Sequence, residues 1–83
     1  MDNGLITCRS QTAAQKLAGL TRRAGCPAAV TQIPQKLAAT GCGYCVRMPE
    51  YCLGRVYRLM QENGFTEGRV FRRTGSGYEA VIL

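Results

Sequence analysis

Residues 4–34, GLITCRSQTAAQKLAGLTRRAGCPAAVTQIP, decide the fold because their pattern changes from strand to helix and back to strand. The run GLITCR is rich in β-forming residues, and Ser10 follows it at the position of a helix N-cap. Over residues 11–24, small and apolar residues recur at helical spacing, and Gly25 then marks the end of the helix. The run PAAVTQIP, residues 27–34, places Val, Thr and Ile between two prolines, which predicts an edge strand.

The second half of the chain repeats this order of elements. The run YCVRM, residues 44–48, alternates so that Cys45 and Arg47 share one face of a strand and the other three residues share the opposite face. An amphipathic helix is predicted over residues 49–64. The runs GRVFRR and GYEAVIL flank a glycine-containing turn at residues 74–76, which predicts a β-hairpin.

The predicted order of strand, helix, strand, strand, helix and strand, followed by an additional C-terminal strand, is typical of the α+β class. It indicates the ferredoxin-like split βαβ arrangement, βαββαβ, with two helices on one face of an antiparallel sheet. A chain of 83 residues is too short to cover both faces with helices. Right-handed crossovers place the first and third strands at the centre of the sheet. Residues 1–83 are predicted to form a single ferredoxin-like domain.

Composition restricts the chemistry that the chain can perform. The chain has no histidine, so Cys-His catalysis and mixed Cys/His zinc sites are excluded. A single Cys-x-x-Cys pair supplies two of the four ligands of a closed zinc site, so no metal and no cofactor are predicted. An odd number of cysteines, five, without a signal peptide or a membrane-spanning run, favours a cytoplasmic protein with reduced thiols. A formal charge of +6 favours an anionic partner.

Three of the five cysteines are predicted to have structural roles. Cys52 lies in the apolar stripe of the second helix, where a buried thiol behaves as a small hydrophobic side chain. Cys26 lies at a helix boundary, next to Gly25. Cys8 alternates with Ile6 in the first strand and is predicted to share its side of the sheet, in the core.

Cys42 has a different environment because it lies between Gly41 and Gly43. These glycines remove steric cover, permit positive φ and allow several N–H groups to converge on one point. Such a loop stabilises a thiolate or a bound anion, which makes Gly41 and Gly43 candidate anion-binding residues. A plain glycine turn with an incidental cysteine remains open as the alternative.

Two arginines are candidates to activate this thiol. Alternation places Arg9, on the first strand, and Arg47, on the third, on a sheet face that no helix covers, together with Cys45. Nearby positive charge lowers a thiol pKa, so Arg9 and Arg47 are predicted to serve Cys42. Cys45 is predicted to act as a resolving thiol, although it can bridge to Cys42 only if residues 43–44 form a turn.

The run IPQKLAATGCGYCVRM, residues 33–48, resembles a small family of selenium/sulfur carrier-like proteins. Members of this family are short, begin with a strand and an alanine- and leucine-rich helix, and carry a Cys-Gly pair after a polar loop of small residues. The resemblance extends over the chain to about residue 73. It implies that Cys42 holds sulfur or selenium as a persulfide or selenosulfide.

The leading functional hypothesis is therefore a thiol-dependent carrier that receives sulfur or selenium from a donor protein and passes it to an acceptor protein. A second hypothesis is a basic module that binds single-stranded nucleic acid on the open sheet face. A third is an interaction domain that forms a homodimer through an edge strand, without thiol chemistry. The residues do not provide a complete catalytic cycle, so a carrier or binding protein is favoured over an enzyme, and no membrane association is predicted.

Overall fold

The computed structural model describes residues 3–65 and 68–83 and contains five strands and two α-helices in those ranges. Two 3₁₀-helices, Gln35–Thr40 and Glu50–Cys52, complete the regular structure of the described residues. The strands and helices are β1 (Gly4–Cys8), α1 (Gln11–Arg23), β2 (Ala29–Gln32), β3 (Tyr44–Met48), α2 (Leu53–Glu62), β4 (Val70–Thr74) and β5 (Gly77–Ala80).

The strands form one antiparallel sheet in the order β2-β3-β1-β4-β5. The first and third strands lie side by side within the sheet, β2 lies at one edge, and β5 extends the sheet beyond β4. This is the predicted ferredoxin-like split βαβ arrangement with an additional C-terminal strand. The α+β class, the edge position of β2 and the C-terminal hairpin are all confirmed.

The ends of α1 follow the sequence pattern closely. Ser10 is the N-cap residue, and its side chain accepts a hydrogen bond of 3.1 Å from the Ala13 N–H. The helix ends at Arg23, and Gly25 then takes a φ of 83°, a conformation that glycine adopts without steric cost. The second helix differs from its prediction: α2 begins at Leu53, because the preceding turn, Glu50–Cys52, is a 3₁₀-helix.

The main core lies between the two helices and one face of the sheet. Ile6 and Cys8 of β1 share this face with Val46 and Met48 of β3, which confirms the predicted alternation. The buried helical residues that complete this core are Ala14, Leu17, Ala18, Leu53, Val56 and Met60.

A disulfide joins Cys26 and Cys52, whose Cα atoms are 6.4 Å apart. Cys26 follows the end of α1 and Cys52 precedes α2, so the bond connects the two helices at one end of their layer. The prediction that all five thiols are reduced is therefore wrong for this pair. The structural roles predicted for both residues are consistent with their deep burial.

The second sheet face is also covered, and the prediction that it is open is wrong. The connection between β2 and β3, residues 33–43, folds over this face and is called the strap below. Its Leu37 is buried against Leu5, Cys45 and Phe71 in a second, smaller core. The part of the strap that covers the face is the 3₁₀-helix Gln35–Thr40, in which Leu37 is buried while its neighbours Lys36 and Ala38 are exposed.

Two hydrogen bonds hold the strap in place. At its base, the Ile33 N–H donates a hydrogen bond of 3.1 Å to the Gly43 carbonyl. At its far side, the Lys36 Nζ donates a hydrogen bond of 3.0 Å to the Ser76 carbonyl in the β4–β5 turn. The strap therefore connects the loop that contains Cys42 with the C-terminal hairpin.

Candidate functional site

Cys42 lies at the C-terminal end of the strap, between two glycines. Gly41 ends the 3₁₀-helix with a φ of 79°, and its N–H donates a hydrogen bond of 3.2 Å to the Ala38 carbonyl. A Cβ atom placed on Gly41 or Gly43 would meet no other atom within 4 Å. The Cys42 side chain is partly exposed, so another molecule can reach this thiol from the solvent side of the loop.

The register of the central strands shows which arginine lies at the same end of the sheet as Cys42. Cys8 pairs with Tyr44, so Arg9, the next residue after β1, lies at the end where the Gly41–Gly43 loop enters β3. Arg47 lies further along β3, where it pairs with Leu5. It is four residues after Gly43, so the backbones of these two residues are about 13 Å apart at the usual rise per strand residue. The sheet register thus places the Arg9 backbone, and not that of Arg47, at the Cys42 end.

Cys45 is fully buried beneath the strap and has polar neighbours. Its Sγ lies 3.3 Å from the Thr31 Oγ1 and donates a hydrogen bond of 3.9 Å to the Gln32 carbonyl. Burial raises the pKa of the Cys45 thiol, while the hydrogen bond with Thr31 and the positive charge of Arg47 act in the opposite direction and are smaller. Arg47 therefore acts on Cys45.

Cys42 and Cys45 are not arranged to form a disulfide. Bridging requires a turn at residues 43–44, but Tyr44 belongs to β3 and pairs with Cys8 on one side and Gln32 on the other. Moreover, Cys45 is buried in the second core whereas Cys42 is partly exposed. Cys42 and Cys45 are close in the sequence, but the structure does not hold them in a conformation that allows a disulfide.

The five cysteines, all within the described residues, fall into three environments: a disulfide, two buried thiols and one partly exposed thiol. This distribution is called the sorting of the cysteines below. Cys26 and Cys52 form the disulfide, and Cys8 and Cys45 remain thiols in the two cores. Each of these four is at most 3% exposed, which leaves Cys42 as the cysteine that another molecule can reach without unfolding. Thiol exchange depends on access as well as on ionisation, so this sorting selects Cys42.

A family model described as "Putative Se/S carrier protein-like" matches residues 3–72 of the chain. The chain belongs to this family. The Se/S carrier-like family match begins just before β1 and ends within β4, so it includes the strap and the Gly41–Gly43 loop. The resemblance stated from the sequence is confirmed. Comparisons with curated proteins and with solved structures give no match.

The Se/S carrier-like match does not include β5, although β5 pairs with β4 over four residue pairs. Because β5 also carries Tyr78, which packs against the second core, the part of the chain beyond the matched range contributes to the covered sheet face. The family match therefore includes β1, β2, β3 and the first three residues of β4, whereas β5 lies beyond it.

The sheet face that was predicted to stack bases in a nucleic-acid module is occupied by the strap. Phe71 is buried in the second core, and Tyr44 packs against the main core on the opposite side of the sheet. Single-strand platforms generally expose aromatic side chains for stacking. Among residues 3–65 and 68–83, no helix is long and apolar enough to cross a bilayer, and no three Cys, Asp or Glu side chains are grouped in a way that could hold a metal ion.

Sequence reasoning missed two features that define this site: the strap and the disulfide. The strap had one signal, Leu37, an apolar residue within an otherwise small and polar run. The disulfide had a weaker signal, because Cys26 and Cys52 flank opposite ends of successive helices, and such ends meet when the helices are antiparallel neighbours.

The raised pKa of Cys45 predicts that the protein loses stability in alkaline solution. Below the ordinary thiol pKa of about 8.5, Cys45 is protonated in both the folded and the unfolded chain. Above it, the unfolded chain ionises Cys45 while the folded chain keeps the proton, so the free energy of unfolding falls as pH rises. Urea unfolding at a series of pH values measures this decline.

The matched control for this measurement is Cys45→Ala. It keeps the tyrosines and the other thiols, so its stability should decline less steeply above the ordinary thiol pKa than that of the natural chain. Identical pH dependence in the two proteins would show that the environment of Cys45 does not favour the protonated thiol.

Proposed function

We propose that this protein is a thiol-dependent carrier that holds a sulfur or selenium atom on Cys42. The observation that carries the proposal is the sorting of the cysteines, which leaves Cys42 accessible within a loop that lies inside the family match. The open space beside Gly41 and Gly43 supports the same role, because the donor must bring its outer sulfur to the Cys42 Sγ and the acceptor must bring a thiolate to the atom that Cys42 then carries.

The loading step is a thiol exchange in which atoms and electrons balance. The Cys42 thiolate attacks the outer sulfur of a donor persulfide, R–S–SH, and a new S–S bond forms as the donor S–S bond breaks. The products are the Cys42 persulfide and the donor thiol, R–SH. A donor selenosulfide, R–S–SeH, reacts in the same way at its outer atom and leaves selenium on Cys42.

Delivery is the reverse exchange, directed to an acceptor. An acceptor thiolate attacks the outer sulfur on Cys42, which takes that atom and regenerates the Cys42 thiol. This cycle needs only one accessible cysteine in the carrier, so a resolving thiol is unnecessary. The donor and acceptor are proposed to be proteins because the Gly41–Gly43 loop lies at the surface, where both glycines are exposed and Cys42 is partly exposed.

A cytoplasmic location belongs to this proposal, and the disulfide is compatible with it. Cys26 and Cys52 are 3% and 2% exposed, respectively. Exchange with a small thiol requires direct attack on one of the two sulfur atoms, so burial slows the reduction of this bond in the folded protein. A carrier can therefore keep this disulfide while its Cys42 exchanges with surrounding thiols.

The proposal is tested by incubating the native protein with a small-molecule persulfide donor and locating the added sulfur by peptide mass spectrometry. Because cleavage at Lys36 and Arg47 leaves Cys42 and Cys45 in one peptide, fragmentation of that peptide assigns the added sulfur to one of the two residues. We expect one additional sulfur atom on Cys42, released when a thiol acceptor is added. An added sulfur on Cys8 or Cys45, with none on Cys42, would contradict the assignment.

A further inference from the structure

A cleft of about 530 Å³ lies between the strap and the β4–β5 turn, on the sheet face opposite the helices. The strap contributes residues 34–36 to its wall, and the hairpin contributes residues 73–78. The cleft is separate from the Gly41–Gly43 loop, which does not line it. Its polar groups therefore have no role in the thiol exchange proposed above.

Two consecutive arginines of β4, Arg72 and Arg73, point to opposite faces of the sheet. Arg72 lies on one side, where it forms ion pairs with Glu79 at 2.8 Å and Glu50 at 3.4 Å, and these partners raise the pKa of its guanidinium. Arg73 alternates with Arg72 and lies on the same face as the buried Phe71, which is the face of the strap. The two carboxylates that pair with this strand, those of Glu50 and Glu79, thus lie on the Arg72 side of the sheet.

Two positive charges, those of Lys36 and Arg73, consequently line the cleft, and no acidic residue of the described ranges 3–65 and 68–83 lines it with them. Lys36 of the strap and Arg73 of β4 both line the cleft. The Lys36 Nζ donates a hydrogen bond to the Ser76 carbonyl. With the residues that the structure describes, the Lys36 ammonium group makes one hydrogen bond, to Ser76, and such a group has three donors.

We propose that this cleft binds a phosphate group. A phosphate carries a charge between −1.5 and −2 near neutral pH, which matches the two cations. The Arg73 guanidinium offers a planar fork that suits phosphate oxygens, and the remaining Lys36 donors add a second positive contact. The hydroxyl groups of Thr74 and Ser76, which also line the cleft, are neutral donors for the remaining oxygens.

A phosphate held between these two side chains connects the strap to the hairpin. In the structure this connection depends on the Lys36 hydrogen bond to Ser76 and on the packing of Leu37 and Tyr78 in the second core. Because the ligand contacts both segments, its binding stabilises the observed contact between the strap and the hairpin. The inference does not depend on the proposed carrier function, since phosphate binding involves no thiol.

The experiment is a titration of the protein with sodium phosphate, followed by the backbone amide signals in two-dimensional NMR spectra. Sodium chloride holds the ionic strength constant, so that general screening is separated from binding. We expect saturable shifts at Lys36 and at residues 73–78, with a dissociation constant of about 1 mM, typical of weak binding in an open cleft. The Lys36→Gln and Arg73→Gln variants should each bind about tenfold more weakly.

Arg69→Gln is the matched control, because Arg69 is an exposed arginine of the same segment that does not line the cleft. It should bind phosphate as the natural chain does. Shifts that are not saturable, or that persist equally in Lys36→Gln and Arg73→Gln, would overturn the proposal. A parallel titration with AMP identifies the source of the phosphate: tighter binding than inorganic phosphate indicates a phosphate carried by a larger molecule, and equal binding indicates the free ion.

Discussion

Replacement of Cys42 with serine is expected to abolish persulfide loading of the native protein. Serine has no sulfur to form the new S–S bond, and the remaining thiols, Cys8 and Cys45, are buried in the two cores. The substitution is nearly isosteric at a partly exposed position, so it should change the free energy of unfolding by less than about 0.5 kcal/mol. Peptide mass spectrometry after incubation with a persulfide donor measures loading, and urea unfolding measures stability.

The matched control is Cys45→Ala, which removes a thiol three positions away while leaving Cys42 in place. Because Cys45 is buried and does not bridge to Cys42 in this conformation, the control should load one sulfur, as the natural chain does. Loading of Cys42→Ser at the natural level would assign the chemistry to a buried thiol. Loss of loading in both variants, with Cys45→Ala shown to be folded by urea unfolding, would instead show that Cys45 is needed for the loading step.

Reduction of the Cys26–Cys52 disulfide is expected to lower the free energy of unfolding by about 3 kcal/mol. The bond closes a loop with a sequence separation of 26 residues, and the loss of chain entropy in the unfolded state accounts for a stabilisation of this size. For a domain of 83 residues this is a large part of the total stability. Urea unfolding with and without a phosphine reductant measures the difference.

A Cys26→Ala/Cys52→Ala double variant provides the control for the reductant. It cannot form the bond, so its unfolding curve should be the same with and without the phosphine, and its stability should be close to that of the reduced natural chain. Equal stability of the oxidised and reduced natural chain would show that the disulfide does not constrain the unfolded state. Absence of the bond in the purified protein, measured by thiol counting under denaturing conditions, would contradict the pairing itself.

The strands and helices could be predicted because local patterns determine them. Ser10 and Gly25 mark the ends of α1, and the alternation within YCVRM assigns Val46 and Met48 to the helix-covered face. The order of these elements, combined with right-handed crossovers, then restricts the arrangement of strands in the sheet. Each of these inferences depends on residues that are close together in the chain.

The strap could not be predicted for the opposite reason. Its position depends on Leu37 contacting Leu5 and Phe71, which lie more than thirty positions away in either direction along the chain. A single apolar residue in a short polar run carries no periodic signal that specifies such contacts. The prediction that the second sheet face is open followed from counting helices, and a 3₁₀-helix in a connection was sufficient to cover it.

The candidate site was predicted in part. The glycines beside Cys42 indicated an open loop, and the structure has that loop with Gly41 at positive φ. Alternation correctly placed Arg47 on the same face as Cys45, where its charge acts on that thiol. The distance along β3 separates the Arg47 backbone from Cys42, and only the register with β1 shows that the Arg9 position belongs to the same end of the sheet.

The sorting of the cysteines has a consequence for quantitative work with this protein. If the accessible cysteine is the sole point of attachment, a fully occupied chain carries one cargo atom, and a half-occupied sample is a mixture of loaded and empty molecules in equal numbers. Occupancy is then a simple mole ratio of cargo to polypeptide, with a fixed upper limit. Samples from different preparations can be compared on that scale without correction for sulfur distributed among several positions of the same molecule.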